Sequence, residues 1–214
     1  MERLVCVIIG YAFGLLQTGF FYGKAHHIDI RKHGSGNAGT TNALRTLGWK
    51  AGAVTFLGDC FKCVAAVLVA HLIYGRTYSD IMPLLSMYAG MGAVLGHNYP
   101  FYLKFKGGKG IAATAGLILS TNIWMAVICL IVFIAVVGIT RYVSLGSLVI
   151  VVLFVIEVVV YGQGGHFGLA APRLYEMYAI VIFLMFSAFY KHRANIGRLM
   201  SGTENKLGAK KKDD

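Results

Sequence analysis

Apolar residues in this chain gather in long runs, and short clusters of Gly, Asn, Lys and Arg cut one run from the next. A helix crosses the hydrocarbon of a bilayer with about 20 mostly apolar residues, fewer where the protein thins the membrane. The pattern therefore predicts seven membrane helices, at about residues 3–23, 50–75, 82–96, 109–120, 123–140, 144–162 and 174–191. The third and fourth are short and rich in Gly and Ala. They either span at a thinned site or re-enter as a pair from one side. The expected fold class is all-α integral membrane, with residues 1–205 as one embedded domain and 206–214 as a charged, disordered tail.

Composition excludes a soluble chain of this length. Of the 214 residues, 57% are hydrophobic and 14% charged, and the mean hydropathy is +0.67. A soluble domain carries roughly a quarter of its residues charged. The first run is kept as a span rather than a secretory leader, because Glu2 stands where a leader is basic and no A-x-A-like site follows. The cysteines Cys6, Cys60, Cys63 and Cys129 all lie in or beside apolar runs and read as buried small hydrophobes. The Cys60–Cys63 pair has no second ligand pair within reach, and no residue cluster calls for a metal or a cofactor.

Charge sets the orientation. Sixteen Lys and Arg residues fall in the loops after the odd-numbered spans and in the tail, against three on the other side: Arg3, Arg76 and Arg173. Positive loops stay cytoplasmic, so the N-terminus is expected outside and the C-terminus inside. A net charge of +11 favours phosphate-bearing partners. Nucleic acid is excluded, because the cations sit in short loops between apolar runs rather than on one soluble face.

The cytoplasmic loops carry the chemistry. The first reads His33-Gly34-Ser35-Gly36-Asn37-Ala38-Gly39-Thr40-Thr41-Asn42, with Arg45 following. Its glycines match G-x-G-x-x-G, but no hydrophobic strand precedes them, so a dinucleotide fold is rejected. What survives is a turn-rich backbone that aims N–H groups at an anion, with neutral donors and one guanidinium beside it. The bland alternative is a polar helix-capping turn. The second loop runs from Gly96-His97-Asn98 through Lys104 and Lys106 to Gly107-Gly108-Lys109-Gly110. It fails the P-loop spacing at its last position. Its glycines lead into an apolar helix, whose N-terminus suits an anion that Lys104 and Lys109 neutralise. Simple membrane anchoring is the alternative for these lysines, Lys106 above all.

Two further stretches complete the set. Arg141-Tyr142-Val143-Ser144 is a tight turn between spans, with Ser144 and Ser147 at a helix start. His192 and Asn195, three apart, share a face if the last helix continues; Arg198 and Glu204 lie beyond. Asp59 and Lys62, also three apart, read as a buried ion pair that positions helices, with a direct substrate role as the other possibility.

Taken together and in order, these stretches resemble the bacterial membrane acyltransferases that move an acyl group from acyl phosphate to glycerol 3-phosphate. The resemblance covers essentially the whole chain. It implies a multi-pass enzyme of the bacterial plasma membrane with a cytoplasm-facing site. The product would be lysophosphatidic acid, with inorganic phosphate released, in the first acylation of phospholipid synthesis. The soluble-type H-x-x-x-x-D motif of other glycerol-phosphate acyltransferases does not occur in the chain.

On the resemblance, Ser35, Lys104, Ser144 and His192 are the expected catalytic residues. Gly36, Asn37, Thr41, Asn42, Arg45, His97, Gly107, Gly108, Lys109, Gly110, Arg141, Asn195 and Glu204 are the expected substrate-binding ones. Ser35, Gly36, Asn37 and Gly107–Gly110 would hold the acyl phosphate; Arg45, Lys104, His192 and Asn195 would hold glycerol 3-phosphate, with Ser144 completing the site. Two routes stay open for the hydroxyl proton: a histidine, His192 before His97, or the donor phosphate itself. The expected partners are those two substrates and membrane lipid, and nothing requires a second copy of the chain. The rival class is a transporter for a phosphorylated metabolite, against which the nearly uncharged outer loops speak.

Overall fold

The structure is a computed structural model that describes residues 1–208. Its regular elements are helical: α1 (Glu2–Gly14), α2 (Thr18–Ala25), α3 (Thr40–Leu47), α4 (Trp49–Tyr74), α5 (Met82–Asn98), α6 (Ile111–Thr121), α7 (Ile123–Thr140), α8 (Val143–Gln163), α9 (Ala171–Lys191) and α10 (Arg193–Met200). Five segments are long and apolar enough to cross a membrane: Glu2–Ala25, Trp49–Tyr74, Ile123–Thr140, Val143–Gln163 and Ala171–Lys191. The described residues thus have the all-helical architecture of an integral membrane protein. The expected third and fourth spans are α5, sunk in the middle of the bundle, and α6, whose eleven residues reach only about 16 Å. Residues 209–214, most of the expected disordered tail, lie outside the described residues.

At the centre, α1 lies along α5 with the two backbones almost touching. A Cβ placed on Gly10 would stand 1.9 Å from the Ala89 carbonyl oxygen, and one on Gly92 2.2 Å from that of Val7. Gly14 and Gly96, one turn further along each helix, are equally crowded, at 2.4 and 2.3 Å from the Ala93 and Tyr11 carbonyl oxygens. Small residues four apart on both helices permit this approach, which in lipid replaces hydrophobic collapse as the packing force. At the other extreme, α7 exposes Ile128, Leu130, Ile131 and Ile134. Its sequence is hydrophobic all round because lipid is its solvent there.

The expected first span is two helices, not one. The chain breaks between Gly14 and Thr18, leaving the carbonyls that end α1 and the N–H groups that begin α2 without helical partners. An Asp–Lys pair on α4 caps both ends. The Lys62 ammonium donates to the Gly14 and Leu16 carbonyls at 3.2 and 2.5 Å. Asp59 Oδ1 accepts from the Thr18 N–H at 3.4 Å and the Thr18 hydroxyl at 3.1 Å. The two side chains pair with each other at 2.8 Å. Gln17, fully buried, adds bonds from its amide to the Gly14 and His97 carbonyls. A broken helix in an apolar bundle is tolerated only where such partners exist.

The last span ends at Lys191, within the expected bounds. The helix does not run on through Asn195: α9 stops at Lys191 and α10 restarts at Arg193, with His192 at the joint.

Three variants test this packing. Gly10→Leu should lower thermal stability in detergent sharply, by about 3 kcal/mol or more, since the clash is with backbone. Gly138→Leu, where nothing lies within 4 Å, should leave the melting curve unchanged. Lys62→Met should cost about 3–5 kcal/mol, because it strands a buried carboxylate and two carbonyls. Unfolding followed by tryptophan fluorescence in detergent measures all three.

Candidate active site

A cavity of about 300 Å³ opens where the first loop, α4, α6, α8 and α10 meet. Its polar wall holds Ser35, Asn37, Thr40, Thr41, Arg45 and Lys109, faced by Ser144, His192, Asn195, Arg198 and Glu204; its apolar wall is Phe56, Ile111, Phe133, Val137 and Val143. Residues from opposite ends of the chain converge here: Arg45 on α3 reaches the Asn205 carbonyl at 3.5 Å, and both line the cavity.

The first loop is shaped from beneath. Gly34 and Gly36 sit at φ +59° and +70°, in the left-handed region that glycine enters at no steric cost. Asn42 holds this turn. Its amide donates to the Ile30 and His33 carbonyls at 2.7 and 3.1 Å. Its Oδ1 accepts from the Ser35 N–H and hydroxyl at 2.7 and 3.1 Å. With both protons and the oxygen engaged, and 1% of it exposed, Asn42 pins the loop instead of presenting itself to a ligand. The Asn37 side chain accepts from the Gly39 N–H at 2.9 Å, which sets the start of α3 facing the cavity.

Glu204 organises the opposite wall. Buried at 8% exposure, it accepts from the Ser144 hydroxyl at 3.2 Å, the Asn195 amide at 2.8 Å and Arg198 Nε at 2.8 Å. One carboxylate thus joins α8, α10 and the turn after α10, and offsets one of the surrounding cations. The Asn195 Oδ1 in turn accepts from the Lys109 ammonium, which ties the second loop to α10. Lys109 precedes α6 and has its pKa pushed down to about 8, first by burial and then by Arg198, Arg45 and Lys191, against an upward pull from Glu204. Gly110, at φ +83°, caps α6, so the free N–H groups of that helix start beside the lysine.

His192 Nδ1 lies 2.8 Å from the Ala188 carbonyl. A carbonyl only accepts, so Nδ1 carries the proton and Nε2 is left as the acceptor. Burial, and next the Lys109 charge, hold its pKa down at about 4, so the ring is neutral at physiological pH.

Several expected residues are elsewhere. Lys104 lies in a separate hollow with Phe20, Phe21, Lys24, Arg31, Tyr102 and Lys106. The turn Phe101–Leu103 carries it to the outer side of the loop, where it adopts φ 54°. Gly107 and Gly108 pack under the cavity against His97; a Cβ on Gly108 would fall 2.0 Å from His97 Nε2. Arg141 spends its guanidinium on the Leu207 carbonyl at 3.0 and 2.7 Å and holds the segment after Glu204 in place. His97 does line the cavity, but its Nδ1 faces the Lys62 ammonium at 2.9 Å. The polar cavity residues outside the expected set are Arg198, whose spacing from Glu204 gave no sign of their pairing; Thr40, whose hydroxyl is buried with no partner among the described residues; Asp59, expected first as a helix-positioning group; and Ser147 and Asn205. The apolar wall carried no local signal, since its residues are indistinguishable from any lipid-facing position.

Comparisons with known proteins point to one family. The family described as glycerol-3-phosphate acyltransferase matches residues 4–202. The chain is similar to a glycerol-3-phosphate acyltransferase of Clostridioides difficile (strain 630), 43% identical and covering 97% of each chain. It is also similar to one of Thermoanaerobacter sp. (strain X514), 38% identical over 98% of each. Among solved structures it resembles PlsY (YgiH), an integral membrane glycerol 3-phosphate acyltransferase, in its glycerol 3-phosphate form. That match has a TM-score of 0.82 and 30% identity over 97% of this chain and 96% of that one; the lysophosphatidic acid form gives 0.81 and 29%. A family match over nearly the whole length, and a shared fold whose solved members hold substrate and product, lead to one conclusion: this chain belongs to the glycerol-3-phosphate acyltransferase family.

Proposed function

We propose that this enzyme takes its acyl group from acyl phosphate and works at the cytoplasmic face of the bacterial plasma membrane, with seven crossings, the N-terminus outside and the C-terminus inside. The observation that carries the reading is the double character of one cavity. A cationic, donor-rich wall at Lys109, Arg45 and Arg198 adjoins an apolar wall at Phe133, Val137 and Val143, where the lipid-exposed α7 meets α8. An acyl chain can lie along the apolar side while its head group reaches the cations. The donor assignment follows the sequence resemblance, and the orientation follows the sixteen-to-three charge asymmetry.

In this reading Ser35, the N-terminus of α3, Gly110 and Lys109 hold the acyl phosphate. Arg45, Arg198, His192 and Asn195 hold glycerol 3-phosphate, and Ser144 and Glu204 brace Asn195. The C1 hydroxyl oxygen bonds to the acyl carbon, the bond from that carbon to the phosphate oxygen breaks, and phosphate departs with the electron pair. Holding two anions at one place supplies most of the catalysis, and the donors that hold them also face the charge that develops on the acyl oxygen. A histidine with a pKa of about 4 is a weak general base at neutral pH. The donor is a mixed anhydride, and the phosphate that departs from it is a stronger base than that ring, so the hydroxyl proton passes to phosphate. His192 then orients the acceptor through Nε2.

Purified protein in detergent should release inorganic phosphate and form lysophosphatidic acid only when acyl phosphate and glycerol 3-phosphate are both present. Equal turnover with an acyl thioester of coenzyme A would refute the donor assignment. The pH dependence has a definite sign. Lys109 is a cation below its pKa of about 8 and loses charge above it, so KM for the phosphate substrates should rise as pH passes about 8. Lys109→Arg should hold KM level to higher pH. His192 stays neutral from pH 5 upward, so kcat should show no histidine step near 6.5; such a step would reinstate the histidine base.

A further inference from the structure

The Asp59 carboxylate is used on one side only. Its Oδ1 takes the Thr18 N–H, the Thr18 hydroxyl and the Lys62 ammonium, and stands 3.6 Å from His97 Nδ1. Its Oδ2 is buried and has no hydrogen-bond partner among the described residues. Asp59 is 1% exposed, yet it forms part of the wall of the active cavity, beside Phe56 and His97. An unmatched buried carboxylate oxygen is costly, and the donors near it are already committed. Lys62 has three ammonium protons for four acceptors: the Gly14 and Leu16 carbonyls, Asp59 Oδ1 and His97 Nδ1. Thr18 is spent on Oδ1. A second phosphate would be repelled there, so the partner that fits is a neutral O–H group brought by the ligand.

The cavity thus has a cationic part for phosphate and, at Asp59, an acceptor for a hydroxyl. We infer that Asp59 Oδ2 accepts a hydrogen bond from the C2 hydroxyl of glycerol 3-phosphate and so selects the C1 hydroxyl as the attacking one. This rests on the proposed reading of the acceptor's seat. With the C3 phosphate held by the cations and C2 tethered to Asp59, the remaining hydroxyl is the one free to meet the acyl carbon. Asp59 takes no proton in this scheme; it determines specificity. One helix residue thereby does two jobs, with Oδ1 fixing the α1–α2 break and Oδ2 reading the substrate.

The test compares glycerol 3-phosphate with 3-hydroxypropyl phosphate, which lacks only the C2 hydroxyl. A hydrogen bond to a charged acceptor predicts that the wild type prefers glycerol 3-phosphate by about tenfold to a hundredfold in kcat/KM. In Asp59→Asn the side-chain oxygen keeps the Lys62 and Thr18 donors and the NH₂ group replaces Oδ2, which removes the acceptor with little change of shape. The preference should then fall below about threefold. Because the readout is a ratio within each enzyme, a partly inactive preparation cancels out. An equal preference in wild type and variant overturns the inference, and so does a wild-type ratio near one, which needs no variant and so decides the matter if Asp59→Asn does not fold. Wild type that turns over neither acceptor with acyl phosphate would instead refute the proposed function, a result separate from both.

Discussion

The Asp59–Lys62 pair sits where the first spanning segment is interrupted, and much of the site's geometry depends on that interruption. A continuous helix through Leu15–Gln17 would carry the chain straight on in the direction of α1. The break lets α2 turn, and from α2 the chain enters the Ile30–Lys32 turn and the glycine loop that walls the cavity. Breaking a helix in an apolar surrounding frees polar backbone groups that no water can satisfy. An ion pair three residues apart on the neighbouring helix supplies what is missing, a cation for the carbonyl end and a carboxylate for the amide end. Each charge also neutralises the other, which is what makes their burial tolerable.

The same economy recurs at Glu204. Lys109, Arg45 and Arg198 crowd one small space, and without an anion among them their repulsion would push the loops apart. Glu204 holds Arg198, Asn195 and Ser144 at once, so the cationic wall is assembled before any phosphate arrives. Preassembly matters because reorganising charged side chains during the reaction would consume part of the substrate's binding energy. The low pKa of Lys109 and the neutral state of His192 share that origin, in burial beside other positive charges.

The apolar half follows another logic. The α1–α5 contact relies on glycines rather than large side chains, which lets the bundle centre close tightly, whereas α7 packs on α6 and α8 and turns its remaining apolar surface outward. The wall of the cavity built from Phe133 and Val137 belongs to that outer helix, so in the proposed reading an acyl chain enters from the bilayer without a tunnel through the packed core.

The helices could be read from the chain because the bilayer requirement is local: a run of apolar residues of sufficient length is sufficient evidence. The glycine loop and Lys109 were legible as motifs, since a tight anion-binding turn demands those residue types in sequence; Asn195 and Glu204 entered through the family resemblance. Three features were not. Lys104 and Lys109 look alike in the sequence, and only the left-handed turn at Lys104 sends one away from the cavity that the other enters. Asn42 reads as a ligand group until its partners in the folded loop are counted. The break at Leu15–Gln17 is invisible in an apolar run because what permits it, Asp59 and Lys62, lies more than forty residues away. Sequence alone therefore determined the membrane class, the charge asymmetry and the phosphate-suited loops, all properties of neighbouring residues. Which side chains share the cavity was decided by tertiary packing, because that is set by contacts between residues far apart in the chain.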